Sequence, residues 1–397
     1  MPSPEDLSFN NLEIAFASKS DKELRDDYWL FWFLGKRWVV ALAPLLSIAV
    51  TRFKLPIKRI IRATLFKHFC GGESIEDCEQ TIAKLHQFNV GSILDYSVEG
   101  KSDEESFNKT CEEILATIKR AKGNPAIPFC VFKPTGIASI NLLEKVSLNA
   151  HLSSDELKQY QQAYERFKKI CSMAAYYDVR VFIDAEESWI QNAVDSIAEN
   201  MMQHYNREKA IVYNTVQLYR HDRLAFIKSA WKKAEEMNYF LGLKLVRGAY
   251  MEKERARAEK LNYPSPIQPD KESCDRDFDD ALRFCIGHID RISICAGTHN
   301  EKSSLLLTQL MEEKNIQRND ERIWFSQLLG MSDHISFNLA HAGFNVCKYV
   351  PYGPVAAVLP YLIRRVQENT SIAGQMGREL SLIVAECNRR KVSRTEK

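Results

Sequence analysis

The chain has 397 residues, of which 45% are hydrophobic and 10% aromatic, so it can bury a large core and is not a mainly disordered protein. Its formal net charge of +2 lacks the broad positive field that sequence-independent nucleic-acid binding needs, and nucleic acid is not an expected partner. The ten cysteines show neither Cys-x-x-Cys spacing nor a Cys/His cluster, which predicts buried, reduced thiols and no metal site.

The first 85 residues are predicted to form a helical arm. The most apolar stretch of this arm, Trp38 to Val50, spans 13 residues and is interrupted by Pro44, whereas a membrane-spanning helix needs about 20. Aromatic residues between Tyr28 and Trp38 interleave with basic ones, which is typical of a helix at a membrane interface. A helical arm packed on its own core is the alternative. Acidic residues near the start argue against a targeting presequence.

From about residue 86 onward, short β-branched or aromatic runs alternate with amphipathic segments such as Ser106–Ala121 and Asp155–Tyr177. This alternation predicts a parallel sheet, and eight such units close into a (β/α)8 barrel. The sequence therefore predicts an α/β fold, with the barrel over residues 86–397 and the arm over residues 1–85. The predicted strands are Val90–Tyr96, Ile127–Lys133, Val179–Asp184, Ala210–Gln217, Leu241–Arg247, Arg291–Ala296, Arg322–Gln327 and Asn345–Val350.

The chemistry of a (β/α)8 barrel lies at the C-terminal ends of its strands. The polar residues predicted there are Asp95, Lys133, Asp184, Gln217, Arg247, His299, Gln327 and Tyr349. A lysine at such a position, Lys133, could form a Schiff base with a carbonyl substrate if burial lowered its pKa. A Schiff-base aldolase is therefore one enzymatic alternative.

The segment after the last strand contains the strongest local signal. Tyr361, Arg364, Arg365 and Glu368 stand at i, i+3, i+4 and i+7, and this spacing places them on one face of a helix whose other surface is apolar. Two adjacent arginines suit a carboxylate ligand, which an arginine fork binds through two charge-assisted hydrogen bonds. An internal salt bridge to Glu368 is the alternative.

Two further strand ends are candidate ligand sites, and the fifth-strand segment suits a flat or anionic cofactor. The fifth strand ends in Lys244–Tyr250 (KLVRGAY), where Gly248 and Ala249 would let a ligand approach the backbone. The sixth ends in Thr298–Asn300 (THN), three hydrogen-bonding side chains in succession. A capped loop is the alternative for this last run.

Three segments in register resemble the proline dehydrogenase family: KLVRGAY at Lys244–Tyr250, YVPYG at Tyr349–Gly353 and YLIRRVQE at Tyr361–Glu368. Asp184–Glu187 and Thr298–Asn300 also match, and the resemblance covers residues 55 to 380 or so. It implies a distorted (β/α)8 barrel that binds FAD noncovalently and oxidises L-proline to Δ1-pyrroline-5-carboxylate. A hydride would pass from proline C5 to flavin N5, and the electrons would then pass to ubiquinone or menaquinone.

The resemblance also implies roles for individual residues. Asp184, Lys244 and Lys133 are the catalytic candidates, with Lys244 stabilising the reduced flavin. The residues similar to the substrate pocket are Lys133, Asp184, Tyr250, Tyr349, Tyr361, Arg364 and Arg365. The residues similar to the cofactor shell are Ala185, Gln217, Lys244, Arg247, Gly248, Ala249, Thr298, His299, Asn300 and Glu368.

Tyr349 bears on the choice of substrate. In relatives that prefer hydroxyproline, the residue at this position looks like serine, which leaves room for a 4-hydroxyl group that tyrosine would exclude. Proline is therefore favoured over trans-4-hydroxy-L-proline, the near alternative; a nonenzymatic helical scaffold is a distant one. The expected partners are L-proline, a quinone, a membrane surface and a separate pyrroline-5-carboxylate dehydrogenase. The expected location is cytoplasmic, peripheral at the inner face of a bacterial membrane, or alternatively on the mitochondrial matrix side.

Overall fold

The computed structural model describes residues 7–34, 61–98, 103–371 and 375–395, with the side chains of 366–376 and 392–395 outside that description. The parallel strands β1 to β8 follow one another around a closed barrel in chain order, which confirms the predicted fold class. Their bounds are Val90–Tyr96, Phe129–Phe132, Arg180–Ile183, Val212–Gln217, Leu241–Val246, Ile292–Gly297, Ile323–Leu328 and Val346–Tyr352. Nearly every strand residue is buried, as expected when side chains fill the barrel on one face and helices cover the other.

Helices precede the barrel and alternate with its strands. Before β1 lie α1 (Leu12–Ala15), α2 (Asp21–Leu34), a π-helical turn (Arg62–Phe66), α3 (Lys67–Phe69) and α4 (Glu79–His86). Between the strands lie α5 (Glu104–Ala121), α6 (Ile140–Ser147), α7 (Ser154–Tyr177), α8 (Ser188–Tyr205), α9 (Arg223–Glu236), α10 (Met251–Leu261), α11 (Lys271–Gly287), α12 (Glu301–Glu313) and α13 (Asp333–His341). After β8 come α14 (Leu359–Ser371) and α15 (Gln375–Thr395).

The chain divides into two compact units. The first comprises residues 1–99 and 327–397, and the second comprises residues 100–326. The apolar stretch Trp38–Val50 lies outside the described residues, and the boundary at residue 85 stays a prediction. None of the helices that the structure describes is long and apolar enough to cross a membrane.

In the first unit, buried charges tie the helices before the barrel to the segment between β7 and β8. Asp333, at the start of α13, pairs with Lys348 of β8 at 2.7 Å and with Lys19 at 2.9 Å. Lys19 also pairs with Asp27 of α2 at 2.5 Å, and His68 lies 2.8 Å from the same carboxylate. Burial alone would raise the pKa of Asp27 and Asp333, but these cations hold both pKa values well below the ordinary range.

In the second unit, strands β2 to β7 pair in register, for example Val181 with Val212 and Asn214 with Leu243. Polar side chains cap the helices that connect the strands. Ser153 and Glu156 form a reciprocal capping box at the start of α7, which satisfies N–H groups that a helix end leaves without partners.

All ten cysteines are free, and nine of them are buried. Burial raises the pKa of Cys130 to about 12, so this thiol stays protonated and inert at neutral pH. The prediction of buried thiols therefore holds for nine of the ten cysteines.

Candidate functional site

Asp184 and Lys244 form a buried ion pair in the second unit. Asp184 follows β3 directly, and its carboxylate bonds the ammonium group of Lys244, which lies within β5. The two side chains are only 15% and 6% exposed, and the ammonium nitrogen lies 5.4 Å from the centre of the Phe182 ring. The structure thus brings two predicted catalytic residues together. The pair fixes a positive charge in a desolvated position, where it can stabilise negative charge that develops on a ligand.

Gln217 ends β4, the strand that pairs with both β3 and β5. Its amide nitrogen donates a hydrogen bond to the backbone oxygen of Glu186 at 2.9 Å. This contact leaves its amide oxygen buried, with no hydrogen-bond partner among the described residues. A buried acceptor without a hydrogen-bond partner lowers the stability of the folded protein unless a ligand N–H group donates a hydrogen bond to it. Because the oxidised flavin ring carries one such N–H donor, Gln217 fits the predicted cofactor.

Arg247 follows β5 and is fully engaged by side chains of the second unit. Its Nε donates to Asp275 at 2.7 Å, and its other two nitrogens donate to Thr298 at 2.7 Å and to Ser303 at 2.9 Å. The guanidinium also lies 4.3 Å from the centre of the Phe278 ring. The structure therefore brings the predicted cofactor residues Arg247 and Thr298 together and holds them rigidly.

Gly248 has a steric reason to be glycine. Its φ of +133° is a conformation that side chains other than glycine rarely adopt, and an added Cβ would lie 2.6 Å from the ring of Tyr219. Tyr219 is buried under this segment, while Gly248 and Ala249 are exposed and Tyr250 is half-buried. The glycine is thus required by packing on Tyr219, a residue that the sequence analysis did not identify.

The Thr298–Asn300 segment is a capped turn. The side-chain oxygen of Asn300 accepts hydrogen bonds from the backbone N–H groups of Lys302 at 2.9 Å and Ser303 at 3.2 Å, at the start of α12. The hydroxyl of Thr298 accepts the N–H of Asn300 at 3.1 Å. His299 is half-buried. Capping therefore accounts for Asn300 without a cofactor, in line with the alternative raised by the sequence.

Lys133 follows β2 and stands at the N-cap of a 3-10 turn, Pro134–Gly136. It is half-buried, as are Asp184 and Ala185 after the neighbouring strand β3. The carboxylate of Glu186 bonds the same turn at Thr135. Burial raises the pKa of Glu186 to about 7, and Lys133 opposes that rise. The charges of Lys133 and Glu186 are therefore close enough to influence each other.

In the first unit, Tyr361 and Arg365 lie together on α14. The carbon at the centre of the Arg365 guanidinium is 5.0 Å from the centre of the Tyr361 ring, a cation–π distance. Both residues are buried and Arg364 is half-buried. Tyr349 is buried in β8, and its backbone oxygen accepts a hydrogen bond from Leu329 at 2.9 Å. The side chain of Glu368 lies outside the described part of the chain, so its predicted role stays a prediction.

Four residues that support the site have no role predicted from the sequence: Glu186, Tyr219, Asp275 and Ser303. Glu186 gave a faint signal, because it follows Asp184 by two positions. Asp275 and Ser303 gave none, since they lie within the helices α11 and α12 rather than at strand ends. Their proximity to Arg247 exists only in the folded chain.

The family model described as proline dehydrogenase matches residues 78–378. The carbapenem antibiotics biosynthesis protein CarD of Pectobacterium carotovorum is 34% identical, covering 82% of this chain and 84% of that protein. Proline dehydrogenase 1, mitochondrial, of Dictyostelium discoideum is 32% identical, covering 84% of this chain and 66% of that protein. A hydroxyproline dehydrogenase of Xenopus laevis is 28% identical, covering 83% of this chain and 78% of that protein.

Among solved structures, proline utilization A (PutA) from Bdellovibrio bacteriovorus is similar, with a TM-score of 0.71 and 19% sequence identity. The alignment covers 91% of this chain but only 38% of the PutA chain. At this identity the likeness shows a shared fold. It agrees with the closed barrel described above.

Proposed function

This chain belongs to the proline dehydrogenase family, and we propose that it is a flavoenzyme that binds FAD noncovalently and oxidises L-proline to Δ1-pyrroline-5-carboxylate. The observation that supports this proposal best is the arrangement over β3, β4 and β5. It combines a buried cation, Lys244, with a buried amide oxygen of Gln217 that has no partner among the described residues. Both groups suit a flavin, because the cation would stabilise the charge of its reduced form and the amide oxygen would accept a hydrogen bond from its ring N–H.

Bound FAD would supply the redox chemistry by accepting at N5 a hydride from C5 of proline. Lys244 would stabilise negative charge on the reduced ring. The carboxylate of Asp184 would act by holding Lys244 in place, since the two groups already bond each other. Preorganised charge of this kind needs no rearrangement during the reaction.

In this proposal the substrate carboxylate is bound by Arg364 and Arg365, with Lys133 as a third cation. Two arginines give planar, charge-assisted hydrogen bonds and so fix the orientation of a small carboxylate. The ring of Tyr361, next to Arg365, limits the conformations open to that guanidinium. Tyr250 and Tyr349 would form apolar walls. Fixing the orientation of a small, rigid substrate supplies much of the catalysis in such a reaction.

We propose that a membrane quinone reoxidises the flavin and that α2 provides the peripheral membrane contact. Trp29, Trp32 and Phe33 are 62%, 41% and 46% exposed, and their i, i+3, i+4 spacing places them on one side of α2. Exposed tryptophans on an amphipathic helix suit the membrane interface. Replacing these three residues by serine should reduce sedimentation with anionic lipid vesicles. Unchanged sedimentation would exclude α2 as the contact.

The neighbouring step would belong to a separate pyrroline-5-carboxylate dehydrogenase. The Dictyostelium relative is named as a mitochondrial protein, which favours the matrix side of the inner mitochondrial membrane over a bacterial inner face as the proposed location. Fractionation of the source cells, with the quinone pool assayed in the same fractions, tests both parts of this proposal.

The test of the central proposal is the visible spectrum of the purified protein before and after anaerobic addition of L-proline. We expect flavin bands near ~370 and ~450 nm that bleach with L-proline and persist with D-proline. Bleaching by trans-4-hydroxy-L-proline in preference to proline would move the assignment to the second candidate, which the similarity to a hydroxyproline dehydrogenase favours. A protein that stays colourless after addition of FAD would refute the flavoenzyme proposal.

A further inference from the structure

Glu186 has a buried carboxylate for which the proposed chemistry has no direct use. It lies just beyond the end of β3 and is 7% exposed. One carboxylate oxygen accepts the backbone N–H of Thr135 at 2.9 Å, and the other accepts the Thr135 hydroxyl at 2.6 Å. Both oxygens therefore bond one residue of the neighbouring loop. Such a two-point contact fixes the orientation of that loop as well as its distance.

The residue that Glu186 holds is part of the turn that begins at Lys133. Thr135 is the second residue of the 3-10 turn Pro134–Gly136, and the N–H of Gly136 closes the turn on the backbone oxygen of Lys133 at 3.0 Å. The ring of Pro134 restricts φ and stiffens this turn further. Because the turn is short and stiff, an anchor at Thr135 also sets the position of Lys133.

The backbone of Glu186 has a second contact, on its other side. Its carbonyl oxygen accepts the amide N–H of Gln217 at 2.9 Å. This bond turns the Gln217 amide so that its oxygen remains the buried acceptor proposed for the flavin. One residue thus supports a proposed substrate ligand through its side chain and a proposed cofactor ligand through its backbone.

We propose that Glu186 is a positioning residue, whose two hydrogen bonds to Thr135 hold Lys133 in place to bind the substrate carboxylate. The inference rests on the proposed function, because the role of Lys133 is part of it. A glutamine could make both contacts, since its amide oxygen would accept the Thr135 N–H and its amide nitrogen would donate to the Thr135 hydroxyl. We call these two hydrogen bonds between Glu186 and Thr135 the clamp. The clamp therefore needs the shape of Glu186 and not its charge.

Steady-state kinetics of the flavin-loaded enzyme test the clamp. We expect Glu186→Ala to raise KM for L-proline roughly tenfold, the effect of losing one hydrogen bond to a charged group, while kcat changes less than about threefold. Glu186→Gln should stay within about twofold of the wild type in KM. Equal damage from both substitutions would show that the charge matters and would overturn the proposal.

Flavin content is an internal control, because the Glu186→Ala variant keeps the backbone oxygen that holds Gln217. We expect this variant to retain its flavin. Flavin loss in parallel with the rise in KM would indicate collapse of the whole loop and would contradict a specific effect on Lys133. If Glu186→Ala does not fold, Thr135→Val and Thr135→Ser form a matched pair. Only serine retains the hydroxyl, so only valine should raise KM.

A double-mutant cycle tests whether Glu186 acts through Lys133. In a Lys133→Met background, Glu186→Ala should change KM by no more than about twofold, because the group it positions is already absent. A second tenfold increase would mean that the two residues act independently. That result would overturn the proposal.

Amide hydrogen exchange at Thr135 separates this inference from the proposed function, since exchange needs no substrate. Glu186→Ala should accelerate exchange at Thr135, and Glu186→Gln should not. Normal proline oxidation with unchanged exchange and KM in Glu186→Ala would refute the clamp alone. A wild-type protein that shows the expected exchange but never oxidises proline would refute the proposed function, and with it the role of the clamp in substrate binding.

Discussion

The buried carboxyl of Glu186 predicts a specific dependence of stability on pH, which the isosteric substitution Glu186→Gln should remove. Burial raises the pKa of this group in the folded protein from 4.5 to about 7. Because the pKa of Glu186 is higher in the folded than in the unfolded protein, the contribution of this group to the free energy of unfolding is fully present below pH ~4.5. This contribution is lost as pH rises through ~7. One pKa unit corresponds to about 1.4 kcal/mol. The wild type should therefore lose about 2.5 kcal/mol between pH 5 and pH 8 through this group.

Glutamine does not ionise, so Glu186→Gln should become relatively more stable as pH rises. For a chain of 397 residues, with an unfolding entropy of about 2.1 cal/mol/K per residue, 2.5 kcal/mol corresponds to a change of roughly 3 °C in the difference between the two Tm values. Differential scanning calorimetry from pH 5 to pH 8 measures this change. Glu259→Gln on the exposed side of α10 is the matched control. A constant Tm difference across this range would refute the argument that Glu186 titrates near neutral pH.

Three other substitutions test separate parts of the structure. Lys19→Met leaves Asp27 and Asp333 without a shared cation and should cost about 3–5 kcal/mol of unfolding free energy at pH 7. Because these carboxyls have lowered pKa values, the cost should shrink as pH falls below about 4. A chemical-denaturation series that shows no such trend would contradict the ion-pair network of Lys19, Asp27 and Asp333. Gly248→Ala meets the ring of Tyr219 at a positive φ and should cost about 1–3 kcal/mol, whereas Ala249→Gly, the neighbouring control, should cost less than about 1 kcal/mol in the same assay. Tyr349→Ser should shift the ratio of kcat/KM values by at least about tenfold from proline toward trans-4-hydroxy-L-proline, and an unchanged ratio would remove Tyr349 from substrate selection.

The fold could be predicted from sequence because its signal is periodic. Buried strands alternate with amphipathic helices over more than 200 residues, and each strand predicted from apolar runs corresponds to an observed one. Only the ends differ. The apolar run predicts Ile127–Lys133 where β2 spans Phe129–Phe132, since only these four residues pair with β3. Periodicity locates a strand, whereas hydrogen bonding to neighbouring strands determines where it ends.

The candidate site was only partly predictable. Asp184 and Lys244 gave a signal because each belongs to a recognisable motif, one directly after β3 and the other within β5, and the structure joins them. Asp275 gave none, because it lies within the helix α11 and becomes a partner of Arg247 only after the chain folds. The sequence also suggested that Gly248 admits a ligand, whereas the structure shows a second reason, the ring of Tyr219. The type of a residue at the C-terminal end of a barrel strand indicates its chemistry, but only the folded structure shows which side chain it contacts.

The acidic run after β3 shows how neighbouring carboxylates acquire different functions. Asp184 bonds Lys244, Glu186 bonds Thr135, and the third carboxylate of the run, Glu187, bonds Lys253 of α10. Three carboxylates close together would repel one another if they shared one environment. Two of them instead pair with cations, and the third accepts two hydrogen bonds and has a raised pKa. The loop therefore connects to the β2 loop, β5 and α10 at once, so a substitution within it should affect substrate binding, the flavin environment or stability according to which of the three contacts it removes.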